Sequence, residues 1–174
     1  IGFGFNLETI NGVRQLDEML TLPNLQLLTL VNVGRVDLAG SLDLDRKSMN
    51  GSNQMSEICA EVFTKAKRAG LKTSLGGGID IDSLPVIQEL DRAGLIDRWE
   101  TRRLVFVANA WRHGASVIQE AVKFELLYLY SLQRYGSRIQ ARDKERIAMI
   151  ESRLGEEGKE LAAWAKTIVA RATT

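Results

Sequence analysis

Two carboxylates, Glu8 and Asp37, are placed where they could do chemistry. Residues 27–42, LLTLVNVGRVDLAGSL, open with an apolar run that up to Gly34 is broken only by Thr29 and Asn32, and the stretch delivers Asp37 to a turn between Gly34 and Gly40. A short apolar run bounded by glycine reads as a strand buried on both faces of a parallel sheet. Residues 1–9 read as a second strand, with Glu8 at its end. Consecutive parallel strands bring their ends to one rim, the carboxyl edge where such sheets keep their sites. Two carboxylates on that rim could hold a hard cation such as Mg²⁺ or Mn²⁺ through oxygen, leaving positions for water and substrate. The other reading is that each caps a following helix or loop.

Three further groups need weighing. Gly76-Gly77-Gly78, ahead of a helix capped by Asp80 or Asp82, either cradles an anion with backbone amides or makes a tight turn. Glu100-Thr101-Arg102-Arg103 opens an apolar strand, and alternation puts Glu100 and Arg102 on one face. There Arg102 pairs with Glu100 or receives an anionic substrate. His113, the one histidine, reads as a surface residue at a helix start. The Arg- and Glu-rich run over 138–153 reads as a solvated helix face with neighbouring ion pairs.

The elements that must position these groups alternate. A helix capped by Asn11 runs to about Leu20, and Pro23-Asn24 breaks it before the central strand. Residues 43–53 are polar, contain Asn-Gly, and read as a mobile loop, either a lid or a solvated connection. A helix over 56–69, a strand over 71–75, a helix ending at Ala93 and a single strand over 99–107 follow. This order predicts a parallel sheet with right-handed crossovers. From Gly114 the chain turns helical. One helix spans 116–135, and a turn near Gly136 leads to a charged stretch over 140–170. Its apolar stripe is Ile147, Ile150, Leu154, Leu161, Trp164 and Ile168, interrupted at Gly155 and Gly158. The expected division is therefore 1–113 and 114–174. The helical hairpin packs either on its own domain or on another subunit.

The segments GFNLETINGVRQLDEML and VNVGRVDLAGSL resemble the HpcH/HpaI aldolase and citrate lyase β-subunit family, part of the phosphoenolpyruvate/pyruvate group of TIM barrels. The shared pattern is a strand ending in Glu8-Thr9, a helix, and a strand ending in Gly34-Arg35-Val36-Asp37-Leu38. The resemblance implies that Glu8 and Asp37 are metal ligands and that Gly34 and Arg35 line a site for the substrate carboxylate. It leaves room for substrate at Gly76 and Gly77. These motifs belong to strands five and six of the barrel, so the chain corresponds to the second half of a (β/α)₈ barrel, strands five to eight, plus a helical extension. The implied activity is a carbon–carbon lyase or aldolase acting on a small 2-oxo acid through a metal-stabilised enolate. The substrate-binding Arg and the His base of that family come from the first half, so no catalytic acid or base is assigned here. The alternative function is a non-catalytic barrel-fold protein with a role in assembly.

Composition sets outer bounds. With 174 residues, 45% hydrophobic and 26% charged, the chain suits one globular domain with a sizeable core. A net charge of +1 argues against nucleic acid. No apolar run approaches the roughly 20 residues that span a bilayer, and residues 1–8 lack the basic leader of a signal peptide. The single cysteine, Cys59, cannot form an internal disulfide, so a reducing, cytoplasmic compartment is expected. The start at Ile1 suggests a fragment, a processed product or missing upstream sequence. A half barrel has two open sheet edges, so the chain is expected to form a homo-oligomer or to be completed by an N-terminal segment.

Overall fold

The computed structural model describes residues 2–47, 49–135 and 141–171. It comprises two compact units, Ile1–Ala115 and Ser116–Thr174.

In the first unit, β1 (Phe3–Leu7) leads into α1 (Ile10–Met19). The helix is capped by Thr9, whose hydroxyl accepts from the Gly12 N–H at 3.1 Å, and not by Asn11 as the sequence suggested. β2 (Leu28–Gly34) runs directly into the short α2 (Arg35–Ser41). The apolar stretch around Asp37 is thus half strand and half helix. α3 (Asn53–Arg68) starts at a Ser52 cap, and β3 (Lys72–Gly76) follows. α4 (Leu84–Arg92) is preceded by a 3₁₀ turn at Ile81–Ser83, where Asp80 and Ser83 cap each other reciprocally. β4 (Arg98–Glu100) completes the parallel set.

Strand order is β1-β2-β3-β4-β5, with the first four mutually parallel. The sheet is not closed. Right-handed crossovers between strands laid down in sequence put their helices on one face. Leu7, Val31, Val33, Leu75 and Trp99 alternate onto that face and are buried, as are Leu16, Val62, Phe63, Ile87 and Leu90 of the helices. The opposite face receives Asn6, Asn32, Ser74 and Arg98, which stand at one register level, with Glu8 and Glu100 one level further along.

The expected single strand over 99–107 is a hairpin. Thr101 closes the turn: its N–H donates to the Leu104 carbonyl at 2.9 Å, and the Leu104 N–H donates to the Thr101 hydroxyl at 3.3 Å. β5 (Val105–Val107) therefore pairs antiparallel with β4. The turn lacks Gly and Pro, the residues that usually announce one. Trp99, fully buried, stacks on Phe106 with ring centroids 4.2 Å apart and donates to the Ala108 carbonyl at 3.2 Å.

The polar connection over 43–53 is anchored rather than loose at its second half. It contains a 3₁₀ turn, Met49–Gly51, with Met49 buried.

The second unit holds α5 (Ala115–Tyr135), α6 (Ala141–Leu154) and α7 (Glu156–Arg171). Gly155, at φ +60°, separates α6 from α7. At Gly158 a Cβ would fall 2.7 Å from the Glu151 carbonyl oxygen, so glycine there lets the two helices approach closely. Glu125, almost fully buried, receives a bidentate fork from Arg146 at 3.0 and 3.1 Å. The expected turn at Gly136, the residues Arg138 to Gln140 and the side chain of Ile168 lie outside the described residues.

Candidate functional site at the carboxyl rim

At the carboxyl ends of β1 to β4 the paired glycines Gly34 and Gly76 lie between two carboxylates, Glu8 beside Gly34 and Glu100 beside Gly76. Because Thr9 takes the capping role, Glu8 is left to lean across the sheet. A Cβ on Gly34 would fall 2.6 Å from Glu8 Oε1 and 2.7 Å from its Cγ. From the other side, a Cβ on Gly76 would lie 3.2 Å from Glu100 Oε1 and 3.4 Å from Asn32 Nδ2. The glycines are therefore the floor on which the two acidic side chains rest. An amide chain connects them: Asn6 Nδ2 donates to Glu8 Oε1 at 3.2 Å, and Asn32 Nδ2 donates to Asn6 Oδ1 at 3.2 Å and Glu100 Oε1 at 3.1 Å.

Asp37 stands in the first turn of α2, exposed, where the partial positive charge of the helix start favours a carboxylate. Arg35 goes the other way. It is 1% exposed, and its guanidinium donates to the Gly76 and Gly77 carbonyls at 3.4 and 3.2 Å, to Asn50 Oδ1 at 2.8 Å and to Ser83 Oγ at 3.0 Å. Asn50 in turn donates to Asp80 Oδ1 at 2.8 Å. Burial works against the charged guanidinium and lowers its pKa, opposed by Cys59 and Asp80. The same burial pushes the Cys59 thiol up to about 11, with Arg35 pulling the other way.

Gly77, at φ +82°, packs on the start of α2. A Cβ there would meet the Arg35 and Val36 nitrogens at 2.6 and 2.7 Å. The expected carboxylate-binding pair Gly34 and Arg35 and the expected anion turn Gly76-Gly77 are thus in mutual contact, with Arg35 as their brace. Arg102 stands exposed at the tip of the β4–β5 hairpin, two residues past Glu100 but off its strand. His113 ends the 3₁₀ stretch Ala108–His113.

Sequence reasoning missed the pairing of Glu100 with Glu8 through Asn6 and Asn32, and the Arg35, Asn50, Asp80, Ser83 cluster. A signal for the first was present: each parallel strand carries a polar residue two positions before its last rim residue, as N-x-E, N-x-G, S-x-G and R-x-E. The second joins a loop, a helix start and a turn far apart in sequence, with no local pattern.

Among the described residues, no three of His, Cys, Asp or Glu converge to hold a metal ion, and no helix is long and apolar enough to cross a membrane. No family model, curated protein or solved structure matches the chain.

Proposed function

We propose that this chain forms part of the wall of a (β/α)₈ barrel and belongs to a carbon–carbon lyase or aldolase that acts on a small 2-oxo acid with Mg²⁺ or Mn²⁺. The observation that carries this reading is Glu8 laid over Gly34 at the carboxyl edge, immediately before the helix turn that bears Asp37. Sequential parallel strands with helices on one face also suit a barrel wall. The residues fit a hard cation in donor type, since both side chains offer oxygen. They would supply two ligands, with water and substrate as the others. A bound dication would offset negative charge developing on the 2-oxo oxygen during bond cleavage. The work of the chain's own residues is to hold that geometry. Asn6 fixes the Glu8 carboxylate, the Gly34 floor sets its height, and the Arg35 brace fixes the first turn of α2 and with it Asp37.

The test pairs two measurements on the full chain. Calorimetry should show Mn²⁺ binding that Asp37→Ala abolishes. Proton NMR in D₂O should show cation-dependent loss of the pyruvate methyl signal, the mark of enolisation. Absence of both would end the proposal. A second reading, a barrel-fold assembly protein, is favoured by the Gly77 backbone packed on the Arg35 and Val36 amides. It predicts cation binding with no pyruvate exchange.

A further inference from the structure

The two edge strands of the sheet are not alike. β1 contains Gly4 and a register shift between Phe3 and Gly4, and irregularity of that kind blunts an edge. β5 has no such device. Residues 104–110, LVFVANA, hold no charge and no proline, the usual guards of an exposed strand.

Hydrogen bonding fixes what β5 presents. The Thr101 N–H donates to the Leu104 carbonyl at 2.9 Å, and the Ala108 N–H donates to the Asp97 carbonyl at 3.0 Å. Alternate residues of an antiparallel ladder bond the same neighbour, so Phe106, opposite Trp99, also turns its backbone to β4. Val105 and Val107 turn theirs outward, and no partner meets them among the described residues. Their side chains are 58% and 67% exposed and share one face of the sheet.

Charge and spacing select the occupant. Arg102 and Arg103 stand before the strand, Asn109 and Ala110 after it. A second copy aligned parallel would set arginine beside arginine, which is repulsive. Aligned antiparallel about Phe106, it sets Arg103 beside Asn109 of the other copy and keeps the arginine pairs at opposite ends. That register also places each Val105 opposite Val107 of the other copy as a hydrogen-bonded pair, so the outward N–H and C=O groups of both strands are satisfied. The valines of both copies then meet on one face, a favourable cross-strand pairing of β-branched side chains. We infer that β5 is a self-association surface, through which two copies of this chain pair antiparallel, edge to edge, at Val105 and Val107. The strand has three residues, so the contact is small and the dissociation constant is on the order of 10–100 μM. The inference does not rest on a cation at Glu8 and Asp37.

Sedimentation equilibrium on the full chain, from low micromolar to several hundred micromolar, tests it. A monomer–dimer equilibrium is expected, weakened at least about tenfold by Val107→Lys and by Val105→Lys, each of which charges the edge. Phe3→Lys, on the β1 edge, should leave it unchanged. Unaltered thermal melting of the lysine variants separates loss of pairing from loss of fold. Oxidative cross-linking reads the register. Opposed residues of a hydrogen-bonded pair stand about 5.5 Å apart, within disulfide reach. An equal mixture of Val105→Cys and Val107→Cys proteins should therefore form a mixed disulfide, and neither protein alone should; Cys59 is buried. A monomer at every concentration, a dimer that survives both lysine variants, or a dimer dissolved by Phe3→Lys would overturn the inference.

Discussion

Glycine at positions 34 and 77 serves two different ends. At Gly34 the issue is space for a side chain, the Glu8 carboxylate. Gly34→Ala should leave the fold intact, move Glu8, and weaken Mn²⁺ affinity about tenfold, as displacing support for a ligand commonly does. At Gly77 the issue is backbone. Its φ of +82° and its contact with the Arg35 and Val36 nitrogens both exclude a side chain. Gly77→Ala should cost at least about 2 kcal/mol, visible as a lowered urea midpoint. A Gly77→Ala protein as stable as wild type would contradict the packing of this turn on α2.

Among the elements, the junction of α3, β3 and β4 depends on one carboxylate. Asp97 Oδ2 accepts from Lys67 Nζ at 2.6 Å, from the Thr73 N–H at 2.7 Å and from the Thr73 hydroxyl at 3.1 Å. Partial burial opposes its charge, but the Lys67 and Thr73 donors outweigh burial and hold its pKa below the usual carboxylate range. A depressed folded pKa gives stability that is fully present above the unfolded value, about 3.9, and lost as pH falls through the folded value. Asp97→Asn should therefore cost about 1 kcal/mol at pH 7, a modest figure because the side chain is a third exposed. The gap between variant and wild type should narrow on acidification below about pH 4. In the helical unit, Glu125→Ala strands Arg146 and should cost about 3 kcal/mol, whereas Glu125→Leu with Arg146→Met should be near neutral. Thermal unfolding of both variants checks the pair.

At the scale of the whole molecule, the sheet of the first unit has β1 and β5 at its two edges, unpaired among the described residues. Val105 and Val107 of β5 are 58% and 67% exposed. Open edges recruit partner strands. The isolated 174-residue chain is expected to self-associate at micromolar concentration, and a folded monomer throughout gel filtration would refute this. Much of the larger pattern was legible. Alternating apolar runs and glycine or proline stops revealed strand, helix, strand, helix, because burial of one face imposes a period that survives in sequence. The Trp99 to Val107 segment was misread because Thr101 closes its turn with a side-chain hydrogen bond, which carries no glycine or proline mark.

That Glu8 would close β1 and Asp37 would follow β2 closely could be read from the sequence, since residue type and distance from a strand end are local facts. Parallel strands require only alternation and crossover length, and those too are local. What the tertiary structure decided is which groups meet. Arg35 reads as a ligand-facing cation next to a glycine, yet folding turns it inward to brace Gly76, Gly77, Asn50 and Ser83. Glu100 reads as the partner of Arg102, yet the hairpin parts them and Asn32, 68 residues away in the chain, becomes its donor. Periodicity tells which face a residue takes. Only the register between strands, fixed by packing of the whole sheet, tells what stands beside it.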